Sequence, residues 1–314
     1  MRRYIAGRLL VIVPTLLVAS MGIFALMQVA VGGDPALHVL GREASAGQVR
    51  ALRRELGLDR PIAVQYLDWL RHVAVGDFGR SFQSPMDVRA VLLARVPATL
   101  ELAGLAAALG VAIAIPAGVY MALAPRGVGR IAEGSTIAAL CLPDFALGIL
   151  LIYLFSVTLH WLPSSGYVPL RYGIGQNLAG MVLPVLSLAT WYAAAWARYI
   201  RSSFLETLDA DFVRVARAKG LAERVVSYRH VLRNAMLPTL TIIGQNVAAM
   251  FGGVVAVETV FGNPGLGRLF STAVLGRDYP VIQGVVVLLT VVVCLSSLLV
   301  DVCYGLADPR VRYR

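Results

Sequence analysis

Residues 200–238 read IRSSFLETLDADFVRVARAKGLAERVVSYRHVLRNAMLP and separate two long apolar stretches without charge. This segment is the longest strongly charged run between such stretches, and it holds Lys219, the only lysine of the chain. The residues that share one helical face, at i, i+3, i+4 and i+7 spacing, are Phe212, Val215, Ala216 and Lys219. This period predicts a short helix that stops at Gly220, followed by a second short helix from Glu223. Pro238 then opens the next apolar span, because the first position of a helix tolerates a missing N–H.

Outward from this run, the chain is dominated by apolar segments. Hydrophobic residues make up 58% of the 314 positions and charged residues only 15%. A helix needs about 20 apolar residues to cross a hydrocarbon core. The predicted spans are 9–31, 97–124, 134–159, 178–197, 239–257 and 281–300. We therefore predict an all-α integral membrane protein with six transmembrane helices, and a retained first helix rather than a cleaved signal peptide.

The arginines indicate how the chain is oriented. The net charge is +10, and arginines occupy the amino end, the loop with Arg126 and Arg130, residues 200–238 and the carboxyl end. Short cytoplasmic segments carry such an excess, so both termini are expected in the cytoplasm. We predict two parts: residues 1–96, with the first helix and an extracytoplasmic loop subdomain, and residues 97–314, with five helices and cytoplasmic coupling helices at about 201–237.

The basic run 200–238 has two interpretations. A basic amphipathic segment is typical of a loop that lies on lipid headgroups. It is equally typical of a docking element for a partner protein, and spacing alone does not separate the two.

Residues 211–221, DFVRVARAKGL, favour the docking interpretation. They resemble the cytoplasmic EAA loop of ATP-binding-cassette (ABC) importer permeases, in particular the dipeptide/oligopeptide/nickel branch and its B-type permeases. Arg214 and Val215 stand where the general motif has Glu and its first Ala, whereas Ala216 and Gly220 are kept. In the peptide branch this segment commonly has the sequence A-R-A-K-G, which is the sequence of residues 216–220.

Four further segments resemble segments of the same branch, and they occur along this chain in the order in which that branch has them. They are GDFGRS at 76–81, RVPATLEL at 95–102, VETVFGNPGLGRL at 257–269 and LADPR at 306–310. Several motifs in order are far more specific than one.

The resemblance implies a type I ABC importer permease fold and one half of a translocation pathway for dipeptides or oligopeptides, worked by alternating access. It implies a second homologous permease subunit, two ATP-binding subunits, an extracytoplasmic substrate-binding protein and a bacterial cytoplasmic membrane. The residues implied in ATPase coupling are Asp211, Arg214, Ala216, Arg217, Ala218, Lys219, Gly220 and Leu221.

The chain shows no enzyme signature of its own. The lone lysine lies outside any G-x-x-x-x-G-K-[ST] phosphate-binding loop, and neither HExxH nor GxSxG occurs. The four histidines are far apart, and no cysteine pair has metal-ligand spacing. We expect no catalytic residue, no metal and no cofactor here, with ATP and magnesium bound by the partner ATPase subunits.

Polar residues inside the predicted spans are candidates for the pathway, because ionisable groups at membrane depth are costly. Asp144 either faces the pathway and binds a peptide ammonium group, or it is bonded to a neighbouring helix. Gln245 and Asn246 either line a cavity or bond between helices. By resemblance Glu258 helps shape the outer gate, although anchoring a loop is the alternative.

Two alternatives concern the function itself. The same branch handles haem, nickel and glutathione, so the sequence leaves the substrate open. A stand-alone secondary transporter would need paired charges near the midplane. Asp144 alone is thin support for that class, and an independent carrier has no use for a basic docking helix.

Overall fold

The computed structural model describes residues 2–30, 35–40, 44–55 and 57–307, and most of these residues are helical. The helices are α1 (Arg2–Ala30), α2 (Pro35–Leu40), α3 (Ala46–Glu55), α4 (Ile62–Ala74), α5 (Val88–Leu123), α6 (Arg126–Cys141), α7 (Asp144–Leu151), α8 (Ile174–Leu208), α9 (Asp211–Ala218), α10 (Glu223–Val225), α11 (Leu232–Phe261), α12 (Leu266–Leu275) and α13 (Tyr279–Ala307). Two π-helical segments, Ile152–Thr158 and Val226–Val231, follow α7 and α10, and a 3₁₀ turn covers Leu170–Tyr172. Part of the LADPR motif and the basic carboxyl end, residues 308–314, lie outside the described residues.

Five helical stretches of the described residues are long and apolar enough to cross a membrane, and the number is six if a bent pair of helices counts as one span. The five helical stretches are Leu10–Met27, Val88–Leu123, Ile174–Leu208, Glu223–Phe261 and Tyr279–Val300. The predicted all-α membrane fold is confirmed.

The third predicted span, 134–159, is wrong as a single helix. The helix Gly127–Cys141 and the helix Asp144–Thr158 meet at an angle of 98°. Leu142 between them is extended, with φ −89° and ψ 117°. Proline disfavours the helical conformation of the residue before it, so Pro143 explains the break.

The fifth span also differs from its prediction. Pro238 lies inside α11 instead of opening a helix. Helical structure begins at Glu223 and continues through the π-helical segment to Phe261. Pro97, predicted to open the second span, likewise lies within α5. Prolines are tolerated inside membrane helices because neighbouring groups satisfy the freed backbone carbonyls.

The chain forms two compact units, and we call the first the core unit: Met1–Ile5, Ala98–Asn263 and Val293–Arg314. Its most buried helix is α8, where Trp196 is completely buried. A Cβ at Gly110 of α5 would lie 2.7 Å from the Trp196 ring, and a Cβ at Gly118 would lie 2.7 Å from Ile200. Small residues therefore let α5 and α8 approach closely, as is typical of membrane helices.

The second unit, called the loop unit, comprises Ala6–Pro97 and Pro264–Val292. Its core is a hydrophobic cluster of buried residues: Ile23, Val88, Leu92, Leu266, Ala273, Val281, Ile282 and Val285. The division predicted from sequence, 1–96 and 97–314, differs from this one, because residues 264–292 cluster with the amino-terminal part. Helix α3 is formed by a polar, arginine-rich stretch of this unit, AGQVRALRRE.

Candidate functional site

The short helix α9 lies in the middle of the basic run 200–238. It begins after Ala210, whose backbone is extended (φ −68°, ψ 147°). Asp211 occupies its first turn and Arg217 its last turn, and both charges suit the helix dipole. The helix is therefore capped electrostatically at both ends within two turns.

The buried face of α9 differs from the face that the periodicity of the sequence marked. Val213 and Ala216 are buried, with 0% and 7% exposure, and α9 packs against the π-helical segment Val226–Val231. Phe212 and Val215 are 43% and 53% exposed. Of the predicted apolar face, only Ala216 is buried. The outward surface of α9 thus includes two large apolar side chains, which the chain itself leaves uncovered.

Gly220 ends the helix as predicted. Its φ is +77°, in the left-handed region that glycine adopts without strain. The Leu221 N–H donates to the Ala216 carbonyl at 3.4 Å, and the Gly220 N–H donates to the Arg217 carbonyl at 2.9 Å. This pair of bonds is a Schellman motif, which satisfies the last carbonyls of the helix.

A bidentate ion pair joins α9 to the next helix. Arg217 donates through Nη2 to Glu223 Oε1 at 2.6 Å and through Nε to Oε2 at 3.2 Å. The hydrogen bond to Glu223 raises the pKa of Arg217. Because the pair is largely exposed, it orients the two helices rather than adding much stability.

The outward surface of the run combines apolar and basic groups. Arg214 is exposed and lies 3.4 Å from Asp211 on the same helix. Ala218, Lys219 and Leu221 are also exposed. All eight predicted coupling residues therefore lie in or directly after α9, and seven of them, all but Ala216, face outward. Such a surface is suited to an acidic or amphipathic groove of a partner.

Asp144 is the first residue of α7, directly after the 98° break. Its backbone carbonyl accepts a hydrogen bond from Ser187 Oγ of α8 at 2.5 Å. Its carboxylate packs against Gly253 of α11, where a Cβ would collide with it. Within the described part of the chain, this carboxylate makes no hydrogen bond or ion pair. Asp144 is thus bonded to a neighbouring helix through its backbone carbonyl, and not through its carboxylate.

Glu258 is placed very differently. It is 0% exposed, and Thr99 Oγ1 of α5 donates to its Oε1 at 2.6 Å. Its carbonyl accepts the Asn263 N–H at 2.9 Å, so the residue also helps to end α11.

The amides of the fifth span are less constrained. Gln245 is exposed and Asn246 is half-buried. Neither side chain makes a hydrogen bond among the described residues.

Two polar contacts of the core unit were missed by sequence reasoning. Arg201 Nη1 donates to Glu133 Oε1 at 3.3 Å, which joins α8 to α6. Tyr167 donates to Glu101 Oε2 at 2.7 Å. Burial, and then this bond, raise the pKa of Tyr167 to about 12. Both contacts join residues far apart in sequence, so no local pattern signals them. No group of three or more metal-binding side chains occurs within the residues that the structure describes.

Residues 114–313 match the family model described as binding-protein-dependent transport system inner membrane component, and residues 1–103 match the model of its amino-terminal part. The chain belongs to this family. As a binding-protein-dependent inner membrane component, it is a multi-pass inner membrane protein of an ABC importer. Components of this family are generally not catalytic.

Relatives extend over the whole length of this inner membrane component. It is 39% identical over 311 residues to a probable peptide ABC transporter permease protein of Sinorhizobium fredii, covering 99% of both chains. It is 39% identical over 318 residues to a glutathione transport system permease protein of Salmonella choleraesuis, covering 100% of both. The resemblance to peptide-branch permeases is confirmed.

A solved structure supports the fold. A crystal structure of an amino acid ABC transporter with histidines matches with a TM-score of 0.52 and 17% identity, covering 70% of this chain and 94% of that chain. At this identity the match concerns the fold alone, and it confirms the predicted importer permease fold.

Proposed function

We propose that this inner membrane component forms half of the translocation pathway of an ATP-driven importer for dipeptides and oligopeptides. The relatives named above support the substrate class, since one is named for peptides and the other for glutathione, itself a tripeptide. A second homologous permease subunit completes the pathway. Two ATP-binding subunits and an extracytoplasmic substrate-binding protein complete the importer, with both termini of this chain in the cytoplasm.

The observation that carries the proposal is the outward surface of α9. Val213 and Ala216 hold the helix to its own chain, while Phe212 and Val215 are left exposed beside basic side chains. Exposed apolar groups on a short, well-capped helix are explained by a partner that covers them. We assign the partner as an ATP-binding subunit, because this chain has no phosphate-binding loop and needs an external source of energy. ATP and Mg²⁺ are thus bound by the partner subunits.

The links of α9 to the long helices give it a means of transmitting motion. Arg217 ties its end to Glu223, where continuous helical structure runs to Phe261. Ser203 Oγ of α8 donates to the Ala235 carbonyl of α11 at 2.8 Å. A displacement of α9 therefore moves the adjoining ends of two long helices together. Rigid-body movement of this kind is the basis of alternating access.

Within the pathway, we assign the charge of Asp144 to contact with the peptide ammonium group. Its carboxylate is half-buried without a bonding partner in the described residues. Gln245 and Asn246 line the pathway as adaptable hydrogen-bonding groups. Glu258, bonded to Thr99, supports the outer end of α11 and does not meet substrate.

Co-purification in mild detergent, followed by mass spectrometry, tests the docking surface. Val215→Asp places a charge on the exposed apolar face of α9 and is expected to abolish co-purification of ATP-binding subunits. The matched control is Leu275→Asp, an equally polar change at a residue that is 86% exposed on another short helix. Retained ATP-binding subunits in Val215→Asp would refute the docking role. A wild type that co-purifies no ATP-binding subunit would favour the headgroup interpretation.

A further inference from the structure

The loop unit contains a cavity of about 750 Å³ that none of the coupling or pathway residues lines. Its size lies within the range of about 300–1,000 Å³ found for small-molecule sites. Aromatic rings form part of its wall: Phe24 lies 5.9 Å from Trp69, and Phe82 lies 6.0 Å from Tyr279, measured between ring centres. The cavity therefore offers an apolar surface large enough for a short-chain ligand.

The charged groups of the cavity fall into two sets. Arg60 and Asp68 compensate one another, with Nη1 and Oδ2 2.7 Å apart. Arg80 and Glu55 also line the cavity, yet neither side chain makes an ion pair or hydrogen bond among the described residues. Asp77 accepts one bond, from the Gly79 N–H at 2.9 Å. One cation and two carboxylates are thus left for a ligand that itself carries both charges.

The backbone that carries Arg80 is held firmly. Arg80 pairs with Asp87 in an isolated antiparallel bridge. The next residue, Ser81, donates to the carboxylate of Asp278, which is 4% exposed. Asp278 Oδ1 also accepts the Phe82 N–H at 3.1 Å. A guanidinium on such a fixed loop loses little backbone freedom when it binds a ligand.

We propose that this cavity is a binding site for a free short peptide on the permease itself. Arg80 binds the terminal carboxylate, Glu55 and Asp77 receive the terminal ammonium group, and an apolar side chain packs on the aromatic wall with Phe24 and Trp69. A planar guanidinium matches a carboxylate through two parallel hydrogen bonds. The peptide class rests on the proposed function, but no residue assigned to the translocation pathway lines this cavity. An anionic lipid headgroup fits less well, because Glu55 and Asp77 would repel it.

The test measures binding to the full chain, purified in nanodiscs of phosphatidylcholine. Isothermal titration calorimetry measures the affinity of the chain for the dipeptide Leu-Phe and for its carboxyl-terminal amide. We expect the wild type to bind the acid about tenfold or more tightly than the amide, the loss typical of one hydrogen bond between charged groups. Arg80→Gln is expected to lose this preference. Arg50→Gln, an exposed arginine of the same unit that does not line the cavity, is expected to keep it.

The outcomes separate the proposal from its competitors. A wild type that binds neither ligand, or binds both equally, overturns the proposal, as does an Arg80→Gln variant with unchanged preference. Native mass spectrometry could show that phosphatidylglycerol stays bound to the wild type but not to Arg80→Gln. If the wild type then also binds the acid and the amide equally, the ligand is a lipid and not a peptide. A chain that still co-purifies ATP-binding subunits and supports peptide uptake, yet binds no free peptide, would overturn this site alone and leave the proposed function intact.

Discussion

Two carboxylates inside apolar helices of the core unit are held in opposite ways. Glu258 is 0% exposed and accepts a 2.6 Å hydrogen bond from Thr99. Asp144 is half-buried, packs against Gly253 and has no bonding partner for its carboxylate among the described residues. The Glu258 carboxylate is hydrogen-bonded within the fold, whereas the Asp144 carboxylate can still accept hydrogen bonds from another group.

The difference indicates which carboxylate serves the fold and which serves transport. A buried carboxylate costs several kcal/mol unless hydrogen bonds compensate it, and the bond from Thr99 helps to offset this cost for Glu258. Asp144 avoids the full cost by remaining partly open to its surroundings. A partly open, unbonded carboxylate in an apolar segment is suited to a cationic group that arrives and leaves.

The largest effect is expected at Glu258. Glu258→Ala removes the buried hydrogen bond with Thr99 and creates a cavity, so the free energy of unfolding should fall by about 3 kcal/mol. Thermal unfolding of the purified chain in detergent measures it. Glu206→Ala, an exposed glutamate on α8, is the control and should unfold with the wild type. Equal melting temperatures for wild type and Glu258→Ala would remove the contrast between the two carboxylates.

The next effect concerns transport rather than stability. Asp144→Asn removes the charge but keeps the shape, so uptake of a labelled dipeptide should fall about tenfold, as expected when one hydrogen bond between charged groups is lost. The melting temperature should stay unchanged, because the carboxylate stabilises no neighbour. Unchanged uptake would reject a pathway role for Asp144, and a large fall in melting temperature would make it structural, like Glu258.

Two adjacent glycines of α11 sharpen the interpretation of Asp144. A Cβ at Gly253 would collide with the Asp144 carboxylate, whereas a Cβ at Gly252 meets no atom within 4 Å. Gly253→Ala should therefore displace the carboxylate and cost about 1–2 kcal/mol, the usual cost of overpacking. Gly252→Ala should be neutral or stabilising, because alanine favours the helix. Thermal unfolding and uptake assays of the pair check this, and equal behaviour of both variants would contradict the contact.

Local sequence signals predicted the elements well. Long apolar stretches gave the spans, and Gly220 marked the end of α9, because both depend on neighbouring residues alone. The period of α9 predicted the helix correctly, but it did not show which of its residues are buried. Apolar residues on a helix indicate that a face is covered, but they do not show whether its own chain or a partner protein covers it. Val213 and Ala216 meet the chain itself, whereas Phe212 and Val215 stay exposed.

Contacts between distant residues were not predictable from the sequence. The bond between Thr99 and Glu258 depends on where α5 and α11 cross, and one sequence contains no record of that crossing. The break before Asp144 had a local signal in Pro143, yet other prolines, such as Pro184 and Pro238, stay within helices. Whether a proline bends or ends a membrane helix is decided by its neighbours in space.

Glu101 lies between the two extremes, and it supports the smallest prediction. Its Oε2 accepts a 2.7 Å bond from Tyr167, while its buried Oε1 has no hydrogen-bond partner. Burial, and then the bond to Glu101, raise the pKa of Tyr167 from its ordinary 10.0 to about 12. The folded state therefore favours the protonated phenol. The stability that the fold gains from keeping the Tyr167 phenol protonated is fully present below pH 10. It is lost as the pH rises towards 12.

Tyr167→Phe removes both the titrating hydroxyl and its bond to Glu101. Melting temperatures measured between pH 8 and pH 12 should thus fall less steeply in this variant than in the wild type between about pH 10 and pH 12. At neutral pH the variant should be slightly less stable, because the lost bond contributes about 1 kcal/mol. Tyr172→Phe, which changes an exposed tyrosine, is expected to follow the wild-type curve. Parallel curves for wild type and Tyr167→Phe would show that the phenol is solvated, and Glu101 would then belong with Asp144 among the carboxylates that the fold leaves unbonded.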